Sequence, residues 1–222
     1  MSKAYWWGNQ IGQKISSRHP DKKAIQSRYI RKKVRKMEFR RANMSDLDGI
    51  MKIIRDAKKS LKAANIDQWQ NGYPDADTIR EDIDKGQSYV LTDGEKIIAT
   101  AAVTFLEEED YKGIYEGRWG GSETYAVIHR LAILTEMKGK GLADLFLEQI
   151  EVFVRGQQYS CIRTDTHEDN VRMQRLLVRN GFHFRGLIYI GGAEKRRAFE
   201  KILGEDRTKE LGTEPESTDD EP

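Results

Sequence analysis

Residues 131–143 read Leu-Ala-Ile-Leu-Thr-Glu-Met-Lys-Gly-Lys-Gly-Leu-Ala: an apolar stretch runs into two glycines and two lysines, and an amphipathic helix starts at once. A strand, a glycine loop and a helix in immediate succession form one unit of an α/β fold. The free amides of a helix N-terminus, at the positive end of its dipole, bind phosphate oxygens. Gly139 and Gly141 let the backbone come close to a ligand, and Lys138 and Lys140 add charge. No Gly-Lys-Ser/Thr occurs, so this is not a Walker loop. The third glycine and the downstream acid of a dinucleotide-binding turn are also missing. Taken alone, the stretch reads equally well as a solvated turn with two lysines.

Hydrophobic periodicity assigns the elements around it. Residues 39–42 are a short strand, and Ser45 or Asp46 is placed to cap a helix with Leu47, Ile50, Ile53 and Ile54 on one face. A second helical stretch runs through Leu61 toward Trp69, and a short helix covers 77–85 after Asn71-Gly72 and Pro74. Strands 88–91 and 97–105 join at Asp93-Gly94, a hairpin signal. A loop over 106–122 carries Glu107, Glu108, Glu109, Asp110, Tyr111 and Trp119 before a long strand over 125–134. The helix over 141–155 buries Leu142, Leu145, Phe146, Ile150 and Phe153, and strand 161–164 follows. Thr166 is placed to cap a helix with Met173, Leu176 and Leu177 that stops at Asn180-Gly181. Strands 182–190 and 197–202 finish the pattern around Gly191-Gly192. The order predicts an α/β fold with a mixed sheet and helices packed against it.

Charge divides the 222 residues into three parts. Before Met37 stand eleven basic residues and one acid, a charge of +10; after Leu203 stand eight acids and two bases, a charge of -6. Like-charge blocks resist packing, so residues 1–36 are expected to be a basic, disordered extension, 37–203 the folded domain, and 204–222 an acidic, disordered tail. The head lacks the apolar core of a secretory signal. Three readings of it stay open: an arm for nucleic acid or the ribosome, a helix over 24–34 on an acidic partner, or an extension without a role. No window reaches the roughly 18 apolar residues of a membrane span, so a soluble protein with no membrane partner is expected. A single cysteine, Cys161, excludes a disulfide framework and a multi-cysteine zinc site. The four histidines (His19, His129, His167 and His183) never fall at helical ligand spacing, so no metal is expected. A reducing, cytoplasmic setting is the default.

Lys138-x-x-Gly141-x-Ala143 resembles the Arg/Gln-x-x-Gly-x-Gly/Ala signature of the GNAT (GCN5-related N-acetyltransferase) superfamily. The run from Asp165 through Asn170, Met173, Leu176 and Leu177 to Gly181-Phe182 looks like the second half of that family's cofactor site. The resemblance spans 37–203, with Lys138 in place of the usual Arg or Gln. It implies the GNAT-type acyl-CoA N-acyltransferase fold, a mixed, mostly antiparallel sheet with helices on both faces. It also implies acetyl-CoA as co-substrate. The backbone of Leu131, Ala132 and Ile133 would pair with pantetheine as an added strand would. Amides from Lys138, Gly139, Lys140, Gly141, Leu142 and Ala143 would hold the pyrophosphate, and Asn170 would bond nearby. For Asn170 a helix-start role is the alternative.

Amide formation needs a neutral amine, whereas a free alkylamine has a pKa near ~10, so a base must take a proton. If the strand alternates regularly, residues 127, 129, 131 and 133 share one face, which puts His129 beside a thioester at Ile133. His129 is the candidate catalytic base, against a half-buried histidine with only structural bonds. The tyrosine that many relatives use as general acid falls at Leu177 here, and Cys161 reads as core rather than as an acyl carrier. Direct attack in a ternary complex is therefore expected. Trp69, Tyr73 and Trp119, with the acids of 107–110, are expected to bind a small amine or amino-acid-like acceptor, since carboxylates and rings favour a cation; solvated loop charge with Trp69 and Trp119 in the core is the equal alternative. Three alternatives stand beside this: acetylation of a protein or aminoacyl-tRNA amine guided by the basic head, a non-catalytic acetyl-CoA-binding module, and, as to assembly, a homodimer.

Overall fold

The computed structural model describes residues 37–121 and 124–204; the expected basic extension and the acidic tail beyond Gly204 lie outside the described residues. Among the described residues seven strands form one sheet in the order β1-β2-β3-β4-β5-β7-β6. Strands β1 (Met37–Arg41), β2 (Ser88–Asp93), β3 (Lys96–Thr104) and β4 (Ala126–Ile133) each run antiparallel to the next. Strand β5 (Cys161–Thr166) lies parallel to β4, and β7 (Glu194–Ile202) is antiparallel to both β5 and the edge strand β6 (His183–Ile190). Helices α1 (Leu47–Ala63), α2 (Ala76–Asp84), α3 (Glu109–Lys112), α4 (Leu142–Gly156) and α5 (Val171–Arg179) complete the α/β domain. Among the described residues no helix is long and apolar enough to cross a membrane.

The helices form where apolar residues recur at helical spacing. Helix α1 buries Ile50, Ile53 and Ile54 completely, each contributing about 1.5–3 kcal/mol. It is one helix, whereas the sequence suggested a second stretch toward Trp69; the helix ends where Asn65 turns to φ +55. Its entry also differs from the sequence reading. Asn43 opens a 3-10 turn and its Oδ1 accepts from the Ser45 amide at 2.9 Å. Asp46 turns back, accepting from the Asn43 amide at 2.9 Å and from both Arg40 Nη atoms at 2.7 and 2.9 Å, so it caps nothing downstream. Helix α4 buries Phe146, Ile150 and Val154 along one face. Helix α5 is capped by Asn170, not Thr166, because β5 continues through Thr166 and buries it.

The main apolar core joins α1 and α4 to the sheet; a smaller cluster gathers Tyr111, Tyr125, Val127, Cys161, Ile188 and Ala198. Two irregularities of β4 prepare the site. The parallel pairing to β5 covers only Ala126–Ile128 against Ile162–Thr164, after which the strands part. On its other edge β4 carries a bulge: His129 lies opposite Ala102 and Ala132 opposite Thr100, with Arg130 at φ +55 between them.

Candidate active site

A cleft of about 1700 Å³ opens where β4 leaves β5. Its walls come from residues 128–133 of β4, 164–166 at the end of β5, the start of α4, and the loop after α1. Beyond Ile128 the β5-facing edge of β4 pairs with no strand among the described residues, leaving main-chain donors and acceptors for an extended ligand.

The start of α4 borders that edge. Gly141 is the N-cap at φ +74 and Gly139 stands at φ +76, left-handed conformations that glycine adopts without strain. Gly141 brings no side chain to cap the helix, and Gly139, Gly141, Leu142 and Ala143 all line the cleft. Burial, with a contribution from the Arg172 charge, lowers the Lys138 ammonium below its usual range. A free strand edge, an uncapped helix N-terminus and the cations Lys138 and Arg172 suit a carrier with an amide-rich arm and a pyrophosphate. Acetyl-CoA therefore fits these residues.

At the other end of the cleft the side chains form two linked groups. His129 Nε2 lies 2.8 Å from Glu108 Oε1, and its ring meets Tyr111 edge-on at 5.9 Å between centroids. The Tyr111 hydroxyl donates to Asp165 Oδ1 at 2.7 Å, and Arg196 Nε stands 3.6 Å from the other oxygen. Burial raises the Asp165 carboxyl, with the His129 charge opposing, and pushes Tyr111 well above the usual phenol range. In the second group Arg130 donates to Asp82 from Nε at 2.8 Å and Nη2 at 2.6 Å, and also bonds the Tyr73 hydroxyl. Burial raises the Asp82 carboxyl against the pull of that guanidinium.

The structure brings His129, Leu131, Ala132, Ile133, Lys138, Gly139, Gly141, Leu142, Ala143, Asn170, Trp69 and Tyr73 to the cleft wall. It does not bring Lys140 or Trp119 there. Lys140 Nζ turns to Met137 Sδ at 3.6 Å. Trp119 stacks on Tyr111, donates from Nε1 to the Tyr111 carbonyl at 3.0 Å, and covers the Arg163 guanidinium. Asn170 is the α5 cap, accepting from the Met173 amide at 3.2 Å and donating to Gln68 Oε1 at 2.9 Å. The regular alternation assumed for β4 fails at the bulge. Ile133 pairs with Ala99 and His129 with Ala102, so these two fall on opposite faces, and His129 shares its face with Ala132. His129 reaches the cleft because the strand edge is open there. Asp82 and Arg130 were missed by sequence reasoning, Asp165 was read only as the start of the run resembling the cofactor site, and Glu108 only as one of the acids expected to draw the acceptor. Cys161 is buried, bonded to Glu200 Oε1 at 3.3 Å, and burial pushes its thiol up to about 12.

The sequence model of the acetyltransferase (GNAT) family matches residues 54–182. A solved GNAT-family acetyltransferase from Streptococcus agalactiae is 34% identical, with a TM-score of 0.70, covering 76% of this chain and 96% of its own. One from Listeria monocytogenes is 19% identical, with a TM-score of 0.59, over 75% of this chain and 95% of its own. The PaiA N-acetyltransferase of Thermoplasma acidophilum, solved with coenzyme A, is 15% identical, with a TM-score of 0.59, over 75% and 98%; these last two share the fold. No curated protein matches the chain. Fold and cleft together define an acetyltransferase. The chain belongs to the GNAT acetyltransferase family.

Proposed function

We propose that the protein is an N-acetyltransferase that moves the acetyl group of acetyl-CoA to a primary amine by direct attack, both substrates being held together. The observation that carries this reading is the unpaired edge of β4 beside the glycine-opened start of α4, with His129 on the same stretch of strand. The CoA complex of the Thermoplasma protein, which has the same fold, supports the choice of carrier. Residues 37–203 are the catalytic domain in this reading, with 1–36 and 204–222 as extensions.

When bound, acetyl-CoA supplies an acetyl thioester for the amine to attack. Leu131, Ala132 and Ile133 hold its arm through main-chain bonds, and the amides of 139–143 with Lys138 hold the pyrophosphate. His129 takes the proton that the amine must lose, directly or through one water. Leu177, at the position where relatives carry an acid, is buried and apolar, so no side chain there protonates the departing sulfur. A thiol with a pKa near ~8.5 leaves without much help. The acceptor is a small amine or amino-acid-like molecule, drawn to the acid-rich end of the cleft at Glu107, Asp110 and Glu194.

Thiol release, followed over a panel of primary amines with mass spectrometry of the products, tests the proposal. An amine-dependent rate with a mass gain of one acetyl group is expected. Release no faster than thioester hydrolysis with every amine would sink it.

A further inference from the structure

The acidic run before α3 separates into distinct partners. Glu107 and Glu109 lie 3.7 and 2.6 Å from Lys112 Nζ, and Asp110 accepts from the Gly191 amide at 3.1 Å. Glu108 alone turns to the cleft histidine, at 2.8 Å. The same turn supplies the second contact, because the Glu108 carbonyl accepts from the Tyr111 amide at 3.0 Å and Tyr111 then sets its ring against the imidazole. Tyr111 is itself fixed by Asp165. The imidazole is thus held from one helical turn by a carboxylate and a ring. Its Nδ1 has no hydrogen-bond partner among the described residues.

An ionised carboxylate only accepts, so the ring nitrogen facing it carries the proton. We infer that Glu108 is a positioning residue for His129: it fixes the neutral ring as the Nε2–H tautomer and leaves Nδ1 as the nitrogen that receives the amine's proton. This rests on the N-acetyltransferase reading above. The other charged groups facing the pair are Asp165 of β5 with Arg196 of β7, and Asp82 of α2 with Arg130 of β4. Asp165 and Asp82 are committed to Tyr111 and Arg130 respectively, so Glu108 is the carboxylate in contact with the ring. As His129 gains the proton, Glu108 stands opposite the new cation and stabilises it, as a buried acid does in a catalytic triad.

Ring ¹⁵N NMR of the full chain, together with steady-state kinetics of Glu108→Ala, Glu108→Gln and His129→Ala, tests the inference. The wild-type neutral ring is expected to show Nε2–H alone, and Glu108→Ala a mixture of tautomers. Glu108→Ala should lower kcat at least tenfold with both KM values within twofold, and should cost nothing further in the His129→Ala background. Glu108→Gln, which keeps an acceptor oxygen, should restore the tautomer and part of kcat. A wild-type ring protonated on Nδ1 overturns the inference without any assay of activity. So does a Glu108→Ala variant that keeps kcat while the amine KM rises, since Glu108 would then bind the acceptor. Loss in His129→Ala but not in Glu108→Ala overturns the positioning alone; full turnover by His129→Ala overturns it together with the base assignment.

Discussion

Asp82 grips Arg130 with two hydrogen bonds, at 2.8 and 2.6 Å, across the gap between α2 and β4. The residue so held is the one that turns β4 into the left-handed region, at φ +55. A non-glycine residue there costs about 1 kcal/mol or more and persists only when its surroundings enforce it. The ion pair, with side chains only 14% and 8% exposed, is that enforcement. Asp82→Ala leaves the guanidinium with the Tyr73 hydroxyl but no anionic partner, and is expected to lower stability by about 3 kcal/mol in urea titrations. The double variant Asp82→Ala with Arg130→Gly, which removes both the orphan charge and the strain, should be more stable than Asp82→Ala alone.

The start of α4 is predicted to govern the carrier and not the amine. Lys138→Ala should raise the acetyl-CoA KM several-fold, on the scale of about 1 kcal/mol for one exposed charge-assisted contact, and leave the amine KM unchanged. Gly141→Ala, at φ +74, should raise it further and also lower the melting temperature, because alanine is strained in that conformation. Initial rates over both substrates read the two constants separately.

The Arg40 guanidinium, and after it the Asn43 amide, hold the Asp46 carboxyl below its ordinary range despite partial burial. A carboxylate with a lowered folded value contributes stability that is present above the ordinary range and lost as pH falls through the folded value. Asp46→Asn should therefore cost about 1 kcal/mol at pH 7, and the gap from wild type should close in acid, below about pH 4. Urea unfolding at a series of pH values measures it. A gap that stays constant into acid would show that the charge is not its origin.

Cys161 should be dispensable to the chemistry. Its thiol is buried and pushed up to about 12, so little thiolate exists at neutral pH. Iodoacetamide should not inactivate the native protein, and Cys161→Ala should retain kcat within a few-fold. A trapped acetyl-cysteine peptide after mixing with acetyl-CoA would contradict direct attack.

The strand–glycine–helix unit was legible because its signals are local: Gly139 and Gly141 meet no crowding side chain, and Phe146, Ile150 and Val154 repeat at helical spacing. The expected strand at 125–134 appears as Ala126–Ile133. What its sequence does not carry is the bulge, since Arg130 has no intrinsic preference for φ +55 and is put there by Asp82, 48 residues away. Glu108 and Trp119 illustrate the same limit. In an acid-rich loop every carboxylate looks solvated and every ring looks available until the fold assigns partners. Trp119 went to the Arg163 guanidinium at 4.2 Å, and Glu108 to His129 at 2.8 Å. Asn170 illustrates a third case, where capping and ligand contact draw on the same residue type.

Only three residue pairs stitch β4 to β5, whereas six stitch β5 to β7. The sheet is thus two antiparallel ribbons joined along a short seam, and the cleft is the unstitched remainder of that seam. A ligand lying there as a surrogate strand would lengthen the join, so occupancy and cohesion of the two ribbons become one equilibrium. Amide hydrogens next to the seam should then exchange more slowly when the carrier is present, including those that never touch it.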